Sequence, residues 1–417
     1  MSSSILRLLA RGWSRYLRAN LVLRIIVGIL LGAVLGLFAP YLTFFSAFGS
    51  IFVNLLKSIA PILVFTLVIA SLTKDEKALD SRFGSMVVLY FVSTFFAAAS
   101  ATAFSFLFPI SIDLGTATAA PETASPQSIA EILANLLSNV AQNPVQAIAT
   151  ANYPAVLFWA IVFSLAFKRI GTSKTKIVVS EVASCVLLVV RWIIEMAPFG
   201  VMGLVFAAVQ ENGLESFKIY GKLISLLAAS MFFVAFVATP LIVFLVLRRN
   251  PYPLVFKCLR VSGVTAFFTR SSAANIPVNL SLCEKLGLDR DFYSIAIPLG
   301  ATVNMSGAAV TISVMTLATA RSLNMTPDFP TAIILCLLST LGACGASGVA
   351  GGSLLLIPMA CSLFGISNEI AMQTVAVGFI IGVIQDGLET ALNSSGDVML
   401  AAAVDLRRRD QLAKGED

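Results

Sequence analysis

The stretch QDGLETALNSSGD, residues 385–397, places Asp386, Glu389, Thr390, Asn393 and Asp397 at i, i+3, i+4, i+7 and i+11. That spacing sets all five on one face of a helix. Carboxylates inside an apolar span are costly and ordinarily face a cavity or an ion path. The alternative is a stripe solvated at a helix end, although apolar VMLAAAV follows it before the basic tail. Upstream, TRSSAANIPVN (269–279) interrupts another apolar segment with an arginine, two serines, an asparagine and Pro277. A helix restarting beyond such a break offers free N–H groups to an anion. Unwound carbonyls and Asn or Asp oxygens suit a small hard cation such as sodium. Together the two stretches hold the groups a zwitterion requires.

Three weaker features lie nearby. PLGATVNMSGAAV (298–310) puts Asn304 and Ser306 between Gly300 and Gly307. This predicts either local unwinding with exposed carbonyls or a small-residue helix interface. GACGASGVAGGS (342–353) carries the same ambiguity, its glycine density favouring an irregular tip whose backbone nears a ligand. Tyr90, Ser93 and Thr94 share a helix face, which alone reads as packing. The sequons at Asn279, Asn304 and Asn393 fall in membrane segments and are not read as glycosylation sites.

These residues belong to a chain of 417 residues that is 58% hydrophobic and 12% charged, well outside soluble composition. Histidine is absent, which excludes Ser-His and Cys-His catalysis and His-containing metal sites. Cysteines 185, 258, 283, 336, 344 and 361 form no CxxC pair and read as buried free thiols. The net charge of +6 comes from short basic clusters beside apolar spans, a membrane-topology pattern and not a nucleic-acid one.

Apolar spans are expected at 21–39, 46–72, 84–108, 145–167, 177–208, 219–247, 291–319 and 367–404, the first read as uncleaved. Segments 254–283 and 331–364 have polar or glycine-rich centres and only ~30 residues each, short of two crossings. They are therefore expected as re-entrant helical hairpins of opposite orientation, each followed by a span, as in inverted-repeat transporters. Lys and Arg cluster at the N-terminus, around residues 74–82, 168–176 and 248–260, and in the tail, while the loop at Pro40 and residues 109–150 have none. Eight spans with both termini cytoplasmic satisfy that distribution.

TRSSAANIPVN, NMSG (304–307), the glycine-rich second tip and NSSGD (393–397), in that order, resemble the dicarboxylate/amino acid:cation symporter family across essentially the whole chain. The resemblance implies an all-α elevator transporter, a sodium-coupled homotrimer of the bacterial inner membrane that imports amino acids. Residues 1–83 and 145–208 would be scaffold helices, 84–108 a transport-domain helix, 109–144 an extracytoplasmic loop and 219–417 the transport core. Ser271 and Ser272, beside Arg270, would hold the substrate carboxylate with Asn393, and Asp386 its amino group. Asn304 and Asp397, with Thr302 and Met305, would form a sodium site, and the tip around Gly345, Ser347, Gly348 and Gly351 a gate.

Two departures refine this expectation. Where acidic-substrate members carry an arginine, this chain has Glu389, beside Thr390. Repulsion in a poorly screened site disfavours aspartate and glutamate and favours small neutral substrates, serine and threonine foremost. Arg270 would balance Glu389 or Asp386. The family's NMDG form supplies a carboxylate where Ser306 stands, so the further ion site at Tyr90, Ser93, Thr94 and Ser306 is expected to be weakened, with fewer coupled sodium ions, as few as one. A cation channel explains hairpins but not a zwitterion site. An intramembrane protease lacks a base, and Asp386 and Asp397 lie ~16 Å apart along a helix, too far for a dyad.

Overall fold

The computed structural model describes residues 21–73, 81–112, 114, 142–213, 215–346 and 351–413. Most of the loop at 109–144, the basic N-terminus, Lys74, Lys77 and the tip residues Ser347 and Gly348 lie outside the described residues. The described chain is helical throughout, and six helices are long and apolar enough to cross a membrane.

The first group of helices is α1 (Leu21–Phe38), α2 (Phe44–Thr73), α4 (Pro144–Ala149), α5 (Tyr153–Ile170), α6 (Ser173–Glu195) and α7 (Ala197–Asn212). Here α7 packs along α1 and α2, and α2 also meets α5 and α6. Two expected spans are broken. Residues 177–208 divide at Met196, because the Pro198 ring obstructs the carbonyl four residues back and lacks an N–H. Residues 145–167 divide at Thr150–Asn152, where the Asn152 side chain caps a new helix with Pro154 in its first turn.

The second group comprises α3 (Ser81–Leu107), α8 (Glu215–Phe233) running through a π turn into α9 (Thr239–Leu247), and everything downstream. The π turn at Val234–Ala238 precedes Pro240, whose missing N–H would strand the Phe236 carbonyl. Tyr252 Oη donates to that carbonyl at 3.1 Å.

Segment 254–283 folds as α10 (Tyr252–Cys258), a π turn, α11 (Val264–Thr269) and α12 (Ser272–Lys285), with α11 packed against α12. Its break lies at Arg270–Ser271: Arg270 has φ +50° and the Ser271 Oγ caps the Ala274 N–H at 3.2 Å. Pro277 therefore does not break the segment; it lies inside α12. Segment 331–364 forms α15 (Phe329–Ala343), followed by a turn at 344–346, a second turn at 351–352, a 3-10 turn at Ser353–Leu356 and α16 (Ile357–Ser362).

Between these hairpins, residues 290–322 form α13 (Arg290–Val303) and α14 (Ser306–Ser322), parted at Asn304–Met305. Of the two readings of this stretch, the unwinding is present. Every residue from Ser306 to Ala320 is buried, so α14 is the axis on which α3, α15, α16 and α17 (Asn368–Ala413) pack. Four cysteines, 258, 283, 336 and 361, are buried as expected, whereas Cys185 is exposed on α6.

At one end of this group, Arg82 of α3 bridges Asp289 and Asp405, each at 2.9 Å, and its guanidinium lies 5.0 Å from the Phe292 ring centre. Asp405, buried, also accepts from Arg409 at 2.9 Å. This network joins the starts of α3 and α13 to the end of α17.

Candidate functional site

All five polar residues of the α17 face are buried, with Asp397 fully enclosed. Asp386, Asn393 and Asp397 find partners at the three helix breaks, whereas Glu389 and Thr390 also draw on α14 and on α17 itself. Helical geometry supplies the row; the breaks supply much of what meets it.

Asp386 is where two breaks meet. Its Oδ2 accepts from Arg270 Nε at 2.7 Å, and its Oδ1 from the Gly351 N–H at 3.2 Å. Arg270 belongs to the first hairpin tip and Gly351, at φ +71°, to the second. Of the two partners considered for Arg270, the structure selects Asp386. A cavity of about 20 Å³, room for about one water, adjoins this pair among Ile25, Ile194, Phe379 and Gly382.

One turn on, Glu389 Oε2 collects three donors: Thr311 Oγ1 at 2.7 Å, Ser353 Oγ at 2.8 Å and Gln385 Nε2 at 2.6 Å. Among the described residues no hydrogen bond reaches Oε1, which stands as an acceptor. Thr390 turns its hydroxyl back to the Asp386 carbonyl at 2.7 Å. Thr311, Ser353 and Gln385 were not singled out by sequence. Only Gln385, four residues before Glu389, carries a local spacing that points to it.

Asn393 reaches the third break. Its Oδ1 accepts the Gly307 N–H at 2.7 Å and its Nδ2 approaches Met305 Sδ at 3.4 Å. Gly307 is required by close approach: a Cβ there would lie 2.8 Å from the Glu389 Cα. Ser272 is buried beside Arg270 at the first tip, and Ser271 is its helix cap. Asn393 is thus engaged by the α13–α14 break. Thr302 bonds the Leu299 carbonyl within α13.

The deepest residue, Asp397, accepts from Asn304 Nδ2 at 2.9 Å through Oδ1. Among the described residues its Oδ2, the Asn304 Oδ1 and the Thr94 Oγ1 are buried without a hydrogen-bond partner. Orphaned oxygens at such depth are costly unless something electropositive meets them. This donor set, one carboxylate with neutral oxygens, fits a small hard cation. Tyr90 Oη donates to the Ala296 carbonyl at 3.1 Å, and Ser93 and Ser306 hydroxyls lie 3.3 Å apart. A Cβ on Gly300 would sit 2.6 Å from the Tyr90 hydroxyl and 2.7 Å from Asp397 Oδ1, so only glycine lets α13 pass between them.

A further buried network escaped the sequence reading. Asn275 Nδ2 lies 2.8 Å from Ser394 Oγ and 3.0 Å from Ser262 Oγ, and Asn279 Nδ2 donates to the Ser394 carbonyl at 3.0 Å. It fastens α12 to α17 at Ser394, about a quarter turn from the carboxylate face.

With this geometry in place, comparison with known proteins is consistent across the chain. The sequence model of the sodium:dicarboxylate symporter family matches residues 21–406. A serine/threonine transporter SstT of Bifidobacterium adolescentis is 55% identical over 390 residues, covering 94% of this chain and 90% of that one. The SstT of a Streptococcus thermophilus strain is 51% identical over 395 residues, 95% of this chain and 98% of that one. One from Streptococcus agalactiae serotype III is 50% identical over 395 residues, with 94% and 98% covered.

Proposed function

Because the chain belongs to the sodium:dicarboxylate symporter family, we propose that it is a sodium-coupled symporter importing small neutral amino acids, serine and threonine above all. It is a membrane transporter and not an enzyme. The observation that carries the reading is Asp386, on which a guanidinium from one tip and a backbone N–H from the other converge. A substrate ammonium competes with Arg270 for that carboxylate. Arg270, once released, and the N–H groups and hydroxyls at Ser271–Ser272 take the substrate carboxylate. The substrate hydroxyl donates to Glu389 Oε1, and the same Glu389 repels an acidic side chain.

Asn304, Asp397 and Thr94 hold the sodium ion, with Met305 and Thr302 beside the break. Ser306 leaves the neighbouring hydroxyls of Tyr90 and Ser93 without a carboxylate of their own, which limits coupling to about one ion. One charge moving through 100 mV yields about 2.3 kcal/mol, and a tenfold sodium gradient about 1.4 kcal/mol. For a neutral substrate that sum supports an accumulation of roughly 500-fold.

In this reading α1, α2 and α5–α7 form the scaffold of a homotrimer in a bacterial inner membrane. Residues 84–108 and 219–417, with both hairpins, move as the carrier. Eight spans place both termini in the cytoplasm, and the tip at Gly345–Gly351 opens and closes the site. The 20 Å³ cavity beside Asp386 cannot hold an amino acid, so the site must widen before substrate enters.

The test is uptake of labelled serine into proteoliposomes with and without an inward sodium gradient, challenged by threonine, alanine and aspartate. Sodium-dependent uptake blocked by threonine and indifferent to aspartate is expected. Uptake blocked by aspartate removes Glu389 as the selectivity determinant, and uptake indifferent to sodium removes the ion role of Asn304 and Asp397.

A further inference from the structure

Beside the Arg82 network, α3, α9 and α17 line a cavity of about 490 Å³, far from the carboxylate face. Val88, Leu89 and Val246 supply its apolar part, here called the floor, and Arg407 and Arg408 its cationic part, here called the mouth. The local carboxylates are already engaged: Asp289 and Asp405 with Arg82, Asp405 also with Arg409, and Asp410 with Arg249. Among the described residues no carboxylate lies within ion-pair distance of Arg407 or Arg408. Two cationic groups therefore face an apolar-floored cavity without a counter-charge.

The level of the mouth follows from the spans. Arg82 opens the apolar span Arg82–Leu107, and Leu247 closes Phe217–Leu247. The mouth thus lies where helices leave the hydrocarbon, at the depth of phosphate headgroups. From the floor, Val88, Val92 and Phe96 run along α3 at i, i+4 and i+8, exposed by 60%, 36% and 52%. That row leads from the cationic mouth into the membrane.

We propose that this cavity binds one anionic phospholipid. Its phosphate sits between the Arg407 and Arg408 guanidinium groups, which match phosphate oxygens in fork geometry. One acyl chain lies along Val88, Val92 and Phe96. A soluble anion would use the arginines but not the floor, and a zwitterionic lipid would use the floor but leave the excess charge unmet.

Purified full-length protein, titrated with phosphatidylglycerol and read by native mass spectrometry, tests this. Phosphatidylcholine with the same chains and inorganic phosphate are the comparison probes. Phosphatidylglycerol should bind at least tenfold more tightly than phosphatidylcholine. Arg407→Gln with Arg408→Gln should weaken it about 30-fold, the effect of two cationic side chains at a membrane surface. Removing equal charge elsewhere, Lys257→Gln with Arg260→Gln, should leave it unchanged. Val88→Trp, which fills the floor and keeps both arginines, should also weaken it. Equal binding of both lipids, or equal weakening by both charge-removing pairs, overturns the site. Competition by inorganic phosphate with no effect of Val88→Trp assigns the arginines to a free anion and overturns the lipid proposal.

Discussion

Arg270 and Asp386, 116 residues apart in sequence, close to 2.7 Å inside the protein, their side chains exposed by only 9% and 4%. Asp386 also receives the Gly351 N–H, so one carboxylate draws both tips onto α17. Removing one partner from a buried pair leaves an unmatched charge and costs about 3–5 kcal/mol. The pair is therefore a lock between the first tip and α17, and in the proposed function a substrate ammonium is what would open it.

Arg270→Asp and Asp386→Arg should each lower the thermal midpoint of the purified protein and reduce serine uptake at least 100-fold. Combined, the reversed pair should regain most of the midpoint while uptake stays low, because the ammonium would then meet an arginine. Recovery of both properties would show that Asp386 has no role beyond pairing.

Glu389→Arg should exchange selectivity: aspartate begins to compete, and serine uptake falls at least tenfold. The fall follows because Thr311, Ser353 and Gln385 lose their shared acceptor. Glu389→Gln keeps an oxygen there and should retain serine uptake within about tenfold, since a neutral acceptor replaces a charged one. Competition assays across the three proteins check the order, and continued exclusion of aspartate by the arginine variant contradicts the single-residue account.

Asp397→Asn should raise the sodium concentration for half-maximal uptake at least tenfold, by removing the carboxylate that Asn304 touches. Ser306→Asp should do the converse at the adjoining hydroxyls, adding about one coupled ion. Reversal potentials measured at several sodium ratios read the change directly; a starting value of three ions per substrate would refute the expectation of weak coupling.

The Arg82 network predicts a pH-dependent contribution to stability. The Arg82 guanidinium, helped by the Asp291 N–H, holds the Asp289 carboxyl below its usual range against partial desolvation. A carboxylate depressed in the folded state stabilises above its ordinary value of 3.8 and ceases to as pH falls through the folded value. Asp289 is partly exposed, so Asp289→Asn should cost at most about 1 kcal/mol at pH 7, and the difference should vanish in strong acid. Asp405→Asn, which unmatches a buried group shared by Arg82 and Arg409, should cost about 3 kcal/mol. Thermal melts in detergent distinguish the two.

Much of this was legible because lipid makes polarity conspicuous. A carboxylate row at helical spacing, or a serine-arginine cluster amid apolar residues, stands out where each polar group must be accounted for. The break at Arg270–Ser271 was located to within a few residues, but the proline drew the wrong attribution: the left-handed Arg270 and the Ser271 cap turn the chain. At Met196 the hydropathy runs on unbroken, and Pro198 is the local sign. The donors to Glu389 were hidden for another reason. Thr311, Ser353 and Gln385 come from three elements, and only tertiary packing brings them to one oxygen.

The 46 residues of α17 give it a length of about 69 Å at 1.5 Å per residue. Even tilted by about 40°, such a rod spans roughly 53 Å, more than the ~45 Å of a bilayer with its headgroups. One continuous helix therefore carries Asp386–Asp397 and also protrudes beyond the membrane, with Leu412 exposed near its end. Its end is a pointer mechanically coupled to the carboxylates. A fluorophore on Leu412→Cys, in a background with Cys185→Ser, would register any displacement of the buried face as a change in height above the lipid surface, without a label ever entering the site.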